Sequence, residues 1–198
     1  RRQRQMCIRD REKGVFAGLG HPISDSDTGE SIALRSGEIV PCQITGCSKG
    51  TAGSPGELKG RFLSAHAIGT IQINGENGVY GSTRAQFAGQ KMEVAFAQEV
   101  EAGDAEIWTT TSGETPRAYR VKIEKISDAD PRRNMVLRVV DRELLARTGG
   151  IVQGMSGSPI VQNGRLVGAV THVLVNDPTR GYGIFAQTML EQAERVTE

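Results

Sequence analysis

Short apolar stretches separated by glycine are the feature that most limits how this chain can fold. Glycine occurs 25 times in 198 residues, where a typical protein has about 7% glycine, and it follows no period. The clearest strand pattern, over residues 119–126, alternates apolar and polar side chains. The one convincing helix pattern covers residues 188–196. Many short strands and a terminal helix predict an all-β protein, built as a barrel or a pair of barrels.

Charge and hydropathy exclude several classes of function. Lys and Arg total 24 and Asp and Glu total 23, so the net charge of +1 argues against a nucleic-acid binder. No apolar stretch approaches the roughly 18 residues that a transmembrane helix needs. The basic start, residues 1–5, is not followed by the apolar core of a signal peptide. Because residue 1 is not Met, we expect a fragment or a processed product.

The cysteines do not form a disulfide framework or a zinc site. The three cysteines, Cys7, Cys42 and Cys47, are an odd number and cannot all pair within the chain. A bond between Cys42 and Cys47 would need a bulge or turn, because an offset of five places them on opposite faces of a strand. With three histidines and no Cys-x-x-Cys, no structural metal is predicted, and no cofactor either.

The strongest chemical signal is a glycine-flanked serine just before a predicted hairpin. A serine nucleophile needs an exposed position on a tight turn, and the flanking glycines permit one. The backbone N–H groups of Gly154 and Ser156 can converge where the oxyanion of an acyl-transfer reaction would lie. The alternative is a Gly-Ser surface turn, but the following hairpin, with its Asn163-Gly164 turn, favours a nucleophilic serine. The motif is Gly154-Met155-Ser156-Gly157-Ser158-Pro159.

A serine nucleophile needs an imidazole base, and three histidines are available. His21 ends an apolar strand at the edge of a polar loop, which suits an active-site rim. His66 is predicted to lie within an apolar strand and is better explained as a structural histidine. His172 follows Thr171 on the strand that returns from the nucleophile turn, where both residues would line a substrate pocket. For His172, packing without substrate contact is the alternative.

The spacing of the acidic residues does not choose the carboxylate that would orient the base. Asp141 is also a plausible N-cap for a helical turn over residues 142–147. Most of the other candidates would be solvated turn residues or caps. The candidates near predicted loops are Asp25, Asp27, Asp104, Asp128, Asp130, Asp141 and Asp177.

The stretches around His21 and Ser156 resemble the peptidase domain of the SpoIVB family, the stage-four sporulation serine peptidases. The resemblance extends over nearly the whole chain and is most specific around Ser156. The stretches that carry it are residues 18–28 (GLGHPISDSDT), 37–40 (GEIV), 150–160 (GIVQGMSGSPI), 168–173 (GAVTHV) and 176–183 (NDPTRGYG).

The resemblance implies a trypsin-like double β-barrel in one peptidase domain, residues 1–198, with a lobe boundary near 100–115. The first barrel is expected to be trimmed, because 20 residues precede His21. The resemblance implies His21 as base, Ser156 as nucleophile and Asp141 as the orienting carboxylate. The family also carries a membrane anchor and a PDZ domain upstream, and these residues contain neither.

The resemblance also implies a biological role. Family members are secreted signalling proteases that act between the two membranes around the forespore. They cleave the membrane-associated regulatory subunit of an intramembrane protease, and they cleave themselves. Two other hypotheses come from the residues alone. The chain could be a peptide-binding regulatory module on a protease fold, or a latent protease whose exposed loop over residues 49–56 or basic N-terminus is a self-cleavage or gating site.

Overall fold

Thirteen β-strands and two α-helices are present in the part of the chain that the structure describes. The structure is a computed structural model, and it describes residues 6–10, 14–25, 27–85 and 91–196, with the backbone alone for residues 6–10. A short 3₁₀ helix, Ala97–Glu99, precedes β8. The elements are β1 Met6–Asp10, β2 Val15–Gly18, β3 Gly37–Ile39, β4 Cys42–Ser48, β5 Glu57–Phe62, β6 Gly69–Gly75, β7 Gly78–Thr83, β8 Gly103–Thr109, β9 Arg117–Ile126, β10 Met135–Val139, α1 Arg142–Thr148, β11 Pro159–Gln162, β12 Arg165–Val173, β13 Arg180–Phe185 and α2 Ala186–Glu194.

Six strands close into a barrel in the order β10-β13-β12-β11-β8-β9. The alternation predicted for residues 119–126 is confirmed, because Tyr119, Val121 and Ile123 point into the core and are at most 2% exposed. The hairpin of β11 and β12 turns at Asn163 and Gly164, which both have positive φ, as the Asn-Gly signal predicts. The barrel begins with Gly103, and the lobe boundary near 100–115 stays a prediction.

The N-terminal strands form an open sheet, in the order β1-β2-β7-β6-β3, instead of a second closed barrel. Val15, Ala17 and Tyr80 of this sheet share one buried apolar cluster with Ile184 of the barrel and Met189 of α2. The helix α2 therefore joins the two lobes, and it begins two residues before the predicted helix. The predicted all-β fold with a trimmed first barrel and a C-terminal helix is confirmed. No helix in the described ranges has both the length and the apolar character of a membrane span.

The strands β4 and β5 form a separate two-stranded sheet, which we call the ribbon, with residues 49–56 as its tip. Cys47 of β4 forms no disulfide with Cys42, although a bulge does lie between Ile44 and Gly46. The thiol of Cys47 donates to the carbonyl oxygen of Arg147 at 3.3 Å. The side chain of Cys7 and residues 1–5 lie outside the described part of the chain.

Candidate active site

The predicted nucleophile lies on a tight turn that is hydrogen-bonded to the barrel. Gly154 and Gly157 have φ angles of 95° and 87°, a region in which residues with a Cβ are strained. The N–H of Gly157 donates to the carbonyl oxygen of Val170 at 2.7 Å, and the N–H of Val170 donates to that of Ser158 at 2.9 Å. These bonds hold the turn against β12 and leave Ser156 half-buried at its apex.

Two N–H groups beside the nucleophile are available as donors. Among the residues that the structure describes, neither the N–H of Gly154 nor that of Ser156 has a protein acceptor, whereas the N–H of Met155 donates to Val152 at 3.1 Å. The hydroxyl of Ser156 itself donates to the carbonyl oxygen of Thr171 at 2.8 Å. The two free donors match the predicted oxyanion hole, whose role stays a prediction.

A sharp turn at the end of β2 places the residue before His21 against β12. Leu19 and Gly20 both adopt left-handed backbone angles, with φ of 69° and 72°. A Cβ at Gly20 would lie 2.8 Å from methyl groups of Thr171 and Ile184. The backbone before His21 therefore packs directly on Thr171, the residue whose carbonyl binds the Ser156 hydroxyl. The buried side chain of Leu19 anchors this strained turn in the core.

The hydrogen bonding of His21 leaves it ready to accept a proton. Its Nδ1 lies 2.8 Å from the carbonyl oxygen of Pro22. Since a carbonyl can only accept, Nδ1 carries the hydrogen and Nε2 of the neutral ring keeps its lone pair. Burial lowers the pKa of His21, and the bond to Pro22 opposes that shift in part. Neutral His21 with a free Nε2 lone pair is the form that a general base requires.

Thr171 and His172 complete the same cluster. The ring of His172 lies 4.7 Å from that of His21, centroid to centroid. Desolvation is the main cause that lowers the pKa of His172 to about 4. The positive charges of protonated His21, Arg133 and Arg132 contribute to the same shift. Thr171 is 2% exposed, and within the described ranges its hydroxyl has no hydrogen-bond partner. The pocket role of both residues stays a prediction.

Asp141 occupies a different part of the barrel and is the N-cap of α1. Its carboxylate accepts from the N–H groups of Glu143, Leu144 and Arg120, at 2.9, 3.1 and 3.3 Å. Burial alone would raise the pKa of Asp141, but these bonds and the charge of Arg120 hold it below its usual value. The capping alternative therefore describes this structure. Among the described residues no carboxylate bonds to His21, whose Nδ1 is held by Pro22.

Three other sequence candidates, Asp25, Asp177 and His66, have local partners. Asp25 caps its own loop by accepting from the N–H groups of Asp27 and Thr28. Asp177 accepts from the hydroxyl of Thr179 at 2.6 Å. His66, predicted as a structural histidine, is exposed in a bend, and its Nδ1 lies 3.2 Å from the hydroxyl of Ser64. The structure thus links Ser156 to Thr171 by a hydrogen bond and His172 to His21 by a ring contact, whereas the carboxylate of Asp141 has its partners in α1 and β9.

Comparison with protein families identifies the family of this chain. Residues 5–190 match the family described as SpoIVB peptidase S55. The chain belongs to this family. The resemblance seen in the motifs is thereby confirmed, and the chain is a serine peptidase. No curated protein sequence matches the chain significantly.

Three solved structures are similar to this S55 peptidase at low sequence identity. The active form of the Rv3671c protease from M. tuberculosis is 15% identical, with a TM-score of 0.46 over 80% of this chain and 80% of that chain. An inactive form of the Rv3671c protease is 14% identical, with a TM-score of 0.44 over 79% and 88%. Human heparin binding protein is 16% identical, with a TM-score of 0.42 over 78% and 65%. The likenesses concern fold alone.

Two substitutions at Asp141 separate its capping role from a catalytic one in this S55 peptidase. We expect Asp141→Ala to lower the free energy of unfolding by about 1 kcal/mol, because an N-cap acceptor is lost. Asp141→Asn should have a free energy of unfolding close to that of the wild type, because asparagine caps a helix equally well. Urea unfolding and kcat are measured on the same preparations. A steep loss of kcat in a fully stable Asp141→Asn protein would contradict a capping role alone and support the triad assignment.

Proposed function

We propose that this peptidase is a sporulation signalling protease that cleaves the regulatory subunit of an intramembrane protease and also cleaves itself. The proposed location is the space between the two membranes around the forespore. The observation that carries the proposal is the family match over residues 5–190. The Ser156 turn, the neutral His21 ring and the two N–H groups without a protein acceptor among the described residues support it. The protein substrate follows from the family, and its identity is the proposed part.

The proposed mechanism begins when the Ser156 hydroxyl leaves the Thr171 carbonyl and turns to Nε2 of His21. His21 removes the hydroxyl proton as the oxygen attacks the peptide carbonyl, and the N–H groups of Gly154 and Ser156 bind the oxyanion. His21 then protonates the leaving amine, and water hydrolyses the acyl-enzyme. The resemblance assigns the orienting role to Asp141, and that assignment stays a prediction, since the Pro22 carbonyl holds His21 here.

His172 and Thr171 are proposed to form the side of the substrate pocket next to His21. Because the pKa of His172 is near 4, its ring is neutral under ordinary assay conditions. A neutral imidazole offers one donor and one acceptor to an amide or acidic substrate side chain. Thr171 contributes a buried hydroxyl with no partner in the described ranges. The two residues therefore present polar groups, and no fixed positive charge, to the pocket.

Self-cleavage at the ribbon tip is opposed by the way in which the tip is held. The N–H of Gly50 donates to the carbonyl oxygen of Thr148, and that of Gly53 donates to Val175, both at 2.9 Å. A protease needs an extended, accessible substrate backbone, and these bonds tie the tip to the body of the protein at two points. We therefore propose that any self-cleavage occurs outside residues 49–56.

The proposal is tested with the purified peptidase and the extracytoplasmic part of the regulatory subunit. We expect the wild type to generate one new N-terminus in the subunit and Ser156→Ala to generate none. Incubating wild type with tagged Ser156→Ala protein and reading intact masses tests self-cleavage between molecules. A peptidase that hydrolyses generic peptides but leaves the subunit intact would contradict the signalling role. By resemblance, the intramembrane protease releases a mother-cell sigma factor once its regulatory subunit is cleaved. In sporulating cells, activation of this factor should therefore require export of the peptidase from the forespore cytoplasm.

A further inference from the structure

The ribbon contacts the chain immediately before the nucleophile turn. The N–H of Gln153 donates to the carbonyl oxygen of Gly56 at 2.8 Å, and the N–H of Leu58 donates to the carbonyl oxygen of Gln153 at 2.8 Å. These bonds form an isolated parallel bridge between Glu57 and Gln153. The ribbon is thus attached to the residue that precedes Gly154, the proposed oxyanion donor.

The bond from Leu58 holds the same peptide group that carries the N–H of Gly154. The carbonyl of Gln153 and the N–H of Gly154 belong to one planar trans peptide, so they point in opposite directions. With the carbonyl fixed toward the ribbon by Leu58, the N–H of Gly154 must point away from the ribbon. Since Gly154 has a φ of 95°, a glycine-only region, this peptide could otherwise rotate with little steric cost.

The packing of the ribbon tip leaves little room for movement. A Cβ at Gly56 would lie 2.3 Å from the carbonyl oxygen of Ser48 and 2.4 Å from the nitrogen of Gly50. A Cβ at Gly154 would lie 3.1 Å from the Cβ of Leu58, whose side chain is 7% exposed in the main core cluster. A shift of the tip would therefore also move the Gln153–Gly154 peptide.

We propose that the ribbon is a positioning element of the catalytic centre, in which the backbone N–H of Leu58 sets the direction of the Gly154 N–H. Leu58 is a positioning residue, because it acts through the Gln153–Gly154 peptide. Displacing the ribbon tip releases this peptide and disables the oxyanion hole, while Ser156 and His21 keep their places. This inference rests on the proposed roles of Gly154 and Ser156.

The test compares two glycine-to-alanine substitutions in the same ribbon. Gly56→Ala places a methyl group against backbone atoms of the tip, whereas a Cβ at Gly46 meets nothing within 4 Å. We expect Gly56→Ala to lower kcat about 100-fold, with KM changed about twofold at most, since one oxyanion donor contributes mainly to the transition state. Gly46→Ala should match the wild type in kcat, KM and fluorophosphonate labelling of Ser156.

A second variant covers the case in which Gly56→Ala does not fold. Replacing the backbone N–H of Leu58 by an ester oxygen removes one hydrogen bond and keeps the side chain. We expect a kcat loss of about tenfold or more and a matching loss of affinity for a peptide aldehyde, with unchanged binding of the cleaved product. Wild-type kcat in the folded ester protein would overturn the ribbon proposal alone. A wild type that is not labelled at Ser156 would overturn the site assignment, and the ribbon proposal with it.

Discussion

Replacing Ser156 by alanine is expected to abolish peptide hydrolysis, with a loss of about 10⁴–10⁶-fold in kcat. The reason is that Ser156 supplies the attacking oxygen. It lies at the apex of a turn that also carries the N–H groups of Gly154 and Ser156. Hydrolysis of a fluorogenic peptide gives the rate. Intact mass after reaction with a fluorophosphonate gives the site of labelling, and we expect one adduct in the wild type and none in Ser156→Ala.

The neighbouring serine of the same turn is the matched control for this loss. Ser158 is fully buried, so its hydroxyl has no access to a substrate, and its N–H donates to the carbonyl oxygen of Met155 at 3.0 Å. A folded Ser158→Ala protein should therefore still be labelled once, at Ser156. If Ser156→Ala instead hydrolysed peptide within tenfold of the wild type, the nucleophile would lie elsewhere and the proposed mechanism would be wrong.

The features that the sequence predicts well are those set by neighbouring residues. The alternation at Tyr119, Val121 and Ile123 identifies β9, because every second side chain of a half-buried strand faces the core. The turn at Asn163 and Gly164 identifies the hairpin after the nucleophile, because both positions need positive φ. Each of these patterns depends on a few adjacent residues and is therefore visible without knowledge of the fold.

The partners of His21 could not be predicted, because they depend on backbone groups and on distant parts of the chain. The carbonyl of Pro22, which holds Nδ1 of His21, leaves no mark in a sequence, since every residue has a carbonyl. Asp141 shows a second way in which the sequence falls short, because it has a family role but no known position before the structure is seen. The resemblance implies an orienting role for Asp141, but a resemblance carries no distance, and the structure places Asp141 at the N-cap of α1. Only the N-cap pattern at Asp141 was visible locally.

The ribbon was the least visible element of the site. The sequence predicts residues 49–56 as an exposed loop, and residues 51–54 are indeed exposed. The bridge between Glu57 and Gln153 joins distant positions in the chain, and its hydrogen bonds come entirely from the backbone. Glycines such as Gly56 are the only available signal, and a glycine that permits a close approach looks the same in sequence as one in an open turn.

Replacing His21 by alanine is expected to lower kcat by about 10⁴–10⁶-fold, as for the nucleophile, and the double variant with Ser156→Ala should be no slower, because the two act as a unit. In the wild type, kcat/KM should fall as acid protonates His21, since a charged imidazole cannot accept the serine proton. Burial lowers the pKa of His21 from its ordinary value of 6.5. We therefore expect the acidic midpoint of the pH profile to lie below 6.5, measured between about pH 4 and pH 9.

His172 provides the control that assigns this midpoint. Its pKa is lowered to about 4 by desolvation and by the charges of His21, Arg133 and Arg132, against the opposing charge of Asp130, and its ring is the second imidazole next to His21. His172→Phe keeps a ring against His21 and removes the second imidazole, so the acidic limb should persist in this variant. Loss of the limb in His172→Phe, with the protein folded and labelled at Ser156, would instead identify His172 as the group whose protonation stops catalysis.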